Sequence, residues 1–156
     1  HRVETRLGPV RGAGRGRHGL AGSRLLPGVE STVRELARRG YRLAVVTNKP
    51  AHFSRRILEH LRVGDLFPVL YGPDCAPAKP DPRMVLLSLR DLACTREEAI
   101  LVGDMLVDYQ TALGAGIPFY ALATGSESRE NLLASRPARF LHRFEDLLEH
   151  LPALTP

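Results

Sequence analysis

Past residue 27, short apolar runs alternate with segments of helical periodicity, and this alternation limits the possible folds more than any other feature. Strands alternating with helices at this spacing form right-handed βαβ units around a parallel sheet. The sequence therefore predicts an α/β fold with three layers, a Rossmann-like parallel sheet between two layers of helices. The strands are predicted at 41–47, 67–71, 99–102 and 118–123, and the helices at 29–39, 51–62, 84–93, 106–115 and 144–151.

The basic residues are concentrated ahead of the predicted sheet. The chain of 156 residues has a net charge of +5, and residues 1–26 hold six arginines against one acid, Glu4, which also gives +5. The remainder carries 16 basic and 16 acidic side chains (22 minus six, and 17 minus one). We therefore expect an Arg/Gly-rich segment of poor order, residues 1–26, followed by one domain, residues 27–156. The short arm has no interleaved aromatic residue, so nucleic acid is an unfavoured partner, although its arginines leave that alternative open.

The chain shows no pattern typical of membrane insertion or secretion. No stretch approaches the roughly 18 apolar residues of a membrane span, and the start lacks the layout of a signal peptide. Cys75 and Cys94 have no CxxC spacing and no clustered histidines, which favours free thiols in a reducing compartment. The expectation is a cytoplasmic protein without a membrane partner.

Polar residues follow the predicted strands, where ligands of parallel sheets bind. Thr47 and Asn48 follow the first strand, Lys79 lies in the proline-rich loop after the second, and Asp104 and Asp108 follow the third. A hydroxyl and a main-chain amide at a helix start suit an anion, an ammonium suits a phosphate, and two carboxylates suit Mg²⁺. Taken alone, helix capping is the preferred explanation for Thr47 and for the two aspartates, and a solvated loop side chain explains Lys79 as well as a phosphate contact does. The combination indicates a site for phosphate and Mg²⁺.

Three segments in this order, VVTNKP, AKPDP and VGDMLVD, resemble the haloacid-dehalogenase superfamily of phosphohydrolases. Residues 27–50, which include PGV and RGYRLAVVTNKP, are most similar to its phosphoglycolate phosphatase-like branch. The resemblance extends over about residues 25–150. It implies a Mg²⁺-dependent phosphatase of small phosphorylated metabolites, built on the Rossmann-like core of that family.

The resemblance also implies a role for each candidate residue. Thr47 would hydrogen-bond the transferring phosphoryl group, assisted by the main chain of Asn48, and Lys79 would neutralise charge on the phosphoryl oxygens. Asp104 would be a ligand of Mg²⁺. Asp108 would either support the metal shell or orient Lys79.

One family element is missing from the sequence. In the family, an aspartate nucleophile in a DxD pattern follows the first central strand, and this branch inserts a cap domain before the threonine strand. Here the first aspartate is Asp65, in a loop after a helix, so no nucleophile is assigned. The resemblance thus implies a core without its first central strand. The strands beside the gap would close up, or an N-terminal segment, a partner or self-association would fill it. Residues 5–10 are a poor filler because of Gly8 and Pro9.

Two functions remain open from the sequence. In the first, the chain is the C-terminal part of a phosphatase, an incomplete core with little or no activity alone. In the second, it is a non-catalytic remnant that binds phosphate or a partner protein. The substrate itself is not identified by the sequence, since the cap that selects it in this branch is absent.

Overall fold

The computed structural model describes residues 2–5, 22–124 and 126–154. Within these ranges the chain forms a six-stranded sheet with strand order β3-β2-β1-β4-β5-β6, and all neighbouring strands run parallel. The strands are β1 (Arg2–Thr5), β2 (Leu43–Val46), β3 (Val69–Tyr71), β4 (Ala99–Gly103), β5 (Phe119–Leu122) and β6 (Arg139–Leu141). The helices are α1 (Val29–Arg38), α2 (Ala51–His60), α3 (Arg83–Asp91), α4 (Leu106–Ala115), α5 (Arg129–Ala134) and α6 (Leu147–His150).

Both faces of the sheet are covered by helices, which confirms the predicted three-layer α/β architecture. On one face, Val45 and Val102 pack in a buried cluster with side chains from α1, α2 and α6. On the other face, Val46 and Leu101 pack with side chains from α3, α4 and α5. Because successive residues of a strand point to opposite faces, a sheet buried on both sides needs continuous apolar runs. The runs LAVV and AILVG have this character.

Helix α1 ends at the glycine that its sequence pattern indicates. Gly40 has a φ of 93°, and its N–H donates to Ala37 O at 3.0 Å, while the N–H of Tyr41 donates to Leu36 O at 3.0 Å. These two bonds satisfy carbonyls at the end of the helix and turn the chain into β2. A residue with a Cβ would be strained at this φ.

The central position of the sheet is occupied by the chain's own N-terminal segment. β1 lies between β2 and β4, the place that the resemblance assigns to the DxD strand, with Val3 opposite Leu43 on one side and Ile100 on the other. Residues 2–5 thus belong to the sheet, whereas residues 1 and 6–21 lie outside the described ranges, and the expected poor order of residues 1–26 stays a prediction. The physical reason for the pairing of β1 is that an open central position would leave main-chain groups of two buried strands unpaired, so even a short polar segment stabilises it.

Two further elements were not predicted from the sequence, α5 and β6.

No helix in the described part of the chain is long and apolar enough to cross a membrane. Cys75 is an exposed free thiol, as predicted.

Candidate functional site

Thr47 is the first residue after β2, at the carboxyl edge of the sheet, and it is 9% exposed. Its N–H donates to Tyr71 O at 3.0 Å, which extends the pairing of β2 with β3. Its Oγ1 accepts a hydrogen bond from the N–H of Lys49 at 3.1 Å. This contact uses an acceptor lone pair of the hydroxyl, so the hydroxyl proton can be donated to an anion at this edge.

The side chain of Asn48 binds the main chain of Lys79 through two hydrogen bonds. Its Oδ1 accepts from the N–H of Lys79 at 2.8 Å, and its Nδ2 donates to Lys79 O at 3.1 Å. The loop after β2 is thereby joined to the proline-rich loop after β3. We call this pair of hydrogen bonds the Asn48 clamp. The resemblance had assigned Asn48 a role through its main chain. No sequence pattern predicted the contacts of its side chain with Lys79.

The ammonium of Lys79 is buried against a carboxylate. Its Nζ lies 2.5 Å from Oδ1 of Asp108, and the two side chains are 1% and 0% exposed. The other carboxylate oxygen, Oδ2, accepts from the N–H of Met105 at 3.2 Å, at the start of α4. Asp108 therefore uses one oxygen to hold Lys79 and the other to hold the first turn of its own helix.

Gly103 allows this arrangement because it ends β4 directly against Asp108. A Cβ built at Gly103 would lie 2.4 Å from Cβ of Asp108, far inside van der Waals contact. The absence of a side chain at position 103 thus lets the first turn of α4 fold back onto the strand end. This close approach explains why glycine precedes the aspartate in the motif.

Asp104 is 1% exposed and follows β4 at the same edge. Its Oδ2 accepts a hydrogen bond from Oγ1 of Thr124 at 2.6 Å. Thr124 comes after β5, so this bond ties the ends of two neighbouring strands. No chemical role was predicted for Thr124, although its place just after the fourth predicted strand was a usable signal.

Asp74 is a second residue whose role the sequence pattern did not show. Its Oδ1 accepts from the N–H of Ala51 at 2.6 Å, at the start of α2, and this hydrogen bond lowers the pKa of Asp74 below its usual value. Asp81, in the AKPDP motif, has its pKa lowered by the guanidinium of Arg83. The carboxylate of Asp81 thus binds the nearby Arg83, whereas Asp74 holds the start of α2, the helix that follows Thr47.

The described residues contain no group of three or more His, Cys, Asp or Glu side chains that could hold a metal ion. Mg²⁺ in phosphate sites commonly takes one or two protein carboxylates and completes its shell with water and phosphate oxygens. Asp104 fits such a role as a carboxylate ligand at the strand end. Asp108 fits it less well, because its two oxygens already contact Lys79 and Met105.

Hydrogen bonds link three of the five predicted site residues, and a fourth, Thr47, is the chain neighbour of Asn48. Thr47 is adjacent to Asn48, Asn48 binds Lys79, and Lys79 binds Asp108. Asp104 follows Gly103, the residue packed against Asp108, and so lies at the same edge. The Lys79 ammonium and the Asp108 carboxylate are in contact, and a common site that includes Thr47 and Asp104 stays a prediction.

The three-layer α/β fold, with these groups at the carboxyl edge of its parallel sheet, fits the resemblance that the three motifs carry. The model of the haloacid dehalogenase-like hydrolase family matches residues 16–122, and the chain belongs to this family. The resemblance inferred from the three motifs is thereby confirmed.

Similar proteins include phosphoglycolate phosphatases of several bacteria. The chain is 35% identical over 136 residues to that of Photorhabdus laumondii, with 85% of this chain and 58% of the relative covered. It is 39% identical over 130 residues to that of Cereibacter sphaeroides, with 81% and 59% covered. A crystal structure of a predicted phosphoglycolate phosphatase from Haemophilus somnus superposes with a TM-score of 0.78 at 30% identity, covering 83% of this chain and 58% of that one. The chain thus spans less than two thirds of the length of these proteins.

Proposed function

We propose that the chain is the C-terminal part of a Mg²⁺-dependent phosphatase of small phosphorylated metabolites, and that it carries the phosphate and metal groups without the nucleophile. The observation that carries the proposal is the buried Lys79 ammonium, 2.5 Å from Asp108 and held at the main chain by Asn48. Burying an ammonium and a carboxylate is costly, and functional sites are a common reason for it.

Each residue has a defined task in this proposal. The hydroxyl of Thr47 donates to a phosphoryl oxygen, and the ammonium of Lys79 stabilises negative charge that develops on the phosphoryl group. Asp104 would hold Mg²⁺, which when bound supplies positive charge to the phosphate oxygens. Asp108 keeps Lys79 in place, the second of the two roles that the sequence left open for it.

The missing nucleophile sets the expected activity. The first aspartate, Asp65, is exposed in the short turn Gly64–Leu66, between α2 and β3. That turn precedes β3, so it lies at the amino edge of the sheet, opposite Thr47 and Asp104. Asp65 therefore cannot attack a phosphate at the carboxyl edge.

The 156-residue chain alone is expected to hydrolyse p-nitrophenyl phosphate with Mg²⁺ at no more than about 10⁻⁴ of the rate of a complete relative, since removal of a nucleophile costs on the order of 10⁴-fold. A steady-state assay at equal enzyme concentration measures this. Asp104→Asn is the control for contaminating phosphatase, because it preserves the shape of the side chain. A robust rate of the wild-type chain that Asp104→Asn abolishes would contradict the proposal.

The second candidate function is a non-catalytic role in binding phosphate or a partner protein. The position of β1 between β2 and β4 favours it. A nucleophile-bearing strand from a partner would have to displace Arg2–Thr5, which now pairs with β2 and β4. The proposal includes a cytoplasmic location without a membrane partner, and it does not favour nucleic acid as a partner. Phosphoglycolate is the first metabolite to test, because similar proteins bear its name.

A further inference from the structure

We propose that Asn48 is a positioning residue whose side chain sets the separation of the Thr47 hydroxyl and the Lys79 ammonium. The inference rests on the proposed function, since it concerns the same phosphate site. Its basis is the Asn48 clamp, in which one amide side chain binds both main-chain polar groups of Lys79.

The two groups that would contact a phosphate come from two separate loops, and the clamp joins residues 31 positions apart in sequence. The hydroxyl of Thr47 is fixed by the end of β2 and by the N–H of Lys49. The main chain of Lys79 lies in a loop outside the sheet ladder, so strand pairing does not fix it. The Asn48 clamp supplies this link, because Asn48 directly follows Thr47 in the chain.

The two ends of Lys79 are held by different elements. Asp108 of α4 holds the ammonium, and Asn48 of the β2 loop holds the N–H and the C=O. Without the clamp, the ammonium would stay near Asp108, whereas the loop could move relative to Thr47. Shifts of about 1 Å in such groups can lower the rate up to about 10²-fold in catalytic sites. The main expected effect of losing the clamp is therefore on phosphate binding rather than on folding.

Two replacements of Asn48 separate the contributions of the two hydrogen bonds in the clamp. Replacement Asn48→Ala removes both, while Asn48→Asp keeps an oxygen acceptor for the N–H of Lys79 and removes the donor to Lys79 O. Asn48 is exposed, so neither replacement leaves a buried cavity. Asn131 offers a matched control, since it is also exposed and its Nδ2 donates to Oε1 of Glu127 at 2.8 Å, on α5.

The first measurement is amide hydrogen exchange by NMR on the full chain, without any ligand. The Lys79 N–H is expected to exchange about tenfold or more faster in Asn48→Ala than in the wild type, and to stay protected in Asn48→Asp. The N–H of Asp81, which donates to Ala78 O at 3.1 Å in the same loop, serves as the internal reference and should not change. Unchanged protection of the Lys79 N–H in Asn48→Ala would overturn the clamp itself.

The second measurement is calorimetric titration with inorganic phosphate in the presence of Mg²⁺. Asn48→Ala is expected to weaken phosphate binding about tenfold under conditions in which the variant stays folded, while Asn131→Ala binds like the wild type. Equal phosphate affinity in wild type and Asn48→Ala, with the Lys79 N–H deprotected, would overturn the positioning role alone. A wild-type chain that binds no phosphate would overturn the proposed function, and with it this role, whatever the exchange rates show.

Discussion

Replacement of Asp108 by alanine is expected to lower the free energy of unfolding by about 3–5 kcal/mol, the cost of removing one partner of a buried ion pair. The ammonium of Lys79 is 1% exposed and would lose the carboxylate oxygen that now lies 2.5 Å away. The N–H of Met105 would lose its acceptor as well. Urea denaturation at neutral pH measures the change.

Two comparisons separate this loss from a general effect of removing a carboxylate. Asp81→Ala breaks an ion pair with Arg83 whose side chains are 30% and 62% exposed and removes the acceptor of the Arg83 N–H, and it should lower stability much less than Asp108→Ala. The double replacement Lys79→Met with Asp108→Leu removes both charges and is expected to recover most of the lost stability. If Asp108→Ala unfolds as readily as Asp81→Ala, the pair does not stabilise the fold as described.

Supplying the missing strand should change activity more than any single replacement. We expect a chimera of the upstream part of the Photorhabdus laumondii phosphoglycolate phosphatase with residues 27–156 of this chain to hydrolyse phosphoglycolate about 10⁴-fold faster than the chain alone. The physical reason is that the added strand would bring the family's nucleophile to the central position between β2 and β4, now held by Arg2–Thr5. Release of phosphate at saturating substrate measures the rate.

The chimera needs its own controls for folding and for the origin of the rate. Circular dichroism and a cooperative thermal transition establish that it folds, and Asp104→Asn in the chimera should return the rate to that of the isolated chain. A folded chimera that binds phosphate with Mg²⁺ yet turns over no faster than the chain alone would show that the groups described here do not support catalysis.

Much of the fold could be predicted because the apolar runs are long enough to define a period. The runs that became β2 and β4 are buried on both faces, and α1 ends at a glycine with the expected left-handed conformation. α5 and β6 were missed because they are short. α5 has six residues with one buried side chain, Leu132, and β6 has three residues, too few to show a helical or alternating pattern.

β1 could not be predicted for a different reason. Three of its four residues, Arg2, Glu4 and Thr5, are polar, whereas central strands of parallel sheets are normally apolar. Its pairing with residues near positions 43 and 100 is set by the open place in the sheet rather than by local sequence. This open place is created by β2 and β4, so it cannot be read from the local sequence of residues 2–5.

The candidate site was predicted as a set of residue types at one edge, and its internal contacts were not. Parallel topology alone brings Thr47, Lys79 and Asp104 to that edge. The Asn48 clamp is a bond from a side chain to a distant main chain, which has no spacing signature. The sequence also left the role of Asp108 open, and only its two hydrogen bonds favour holding Lys79 over binding a metal.

The most direct test of the central proposal is the binding of inorganic phosphate to the full chain, titrated with and without Mg²⁺. The proposed site predicts binding that requires Mg²⁺ and weakens at least about tenfold in Asp104→Asn and in Thr47→Val. Thr32→Val is the matched control, because Thr32 is 0% exposed on α1 and its Oγ1 has no hydrogen-bond partner among the described residues. It should bind phosphate like the wild type. Phosphate binding that is absent, independent of Mg²⁺, or equally strong in all three variants would contradict the account.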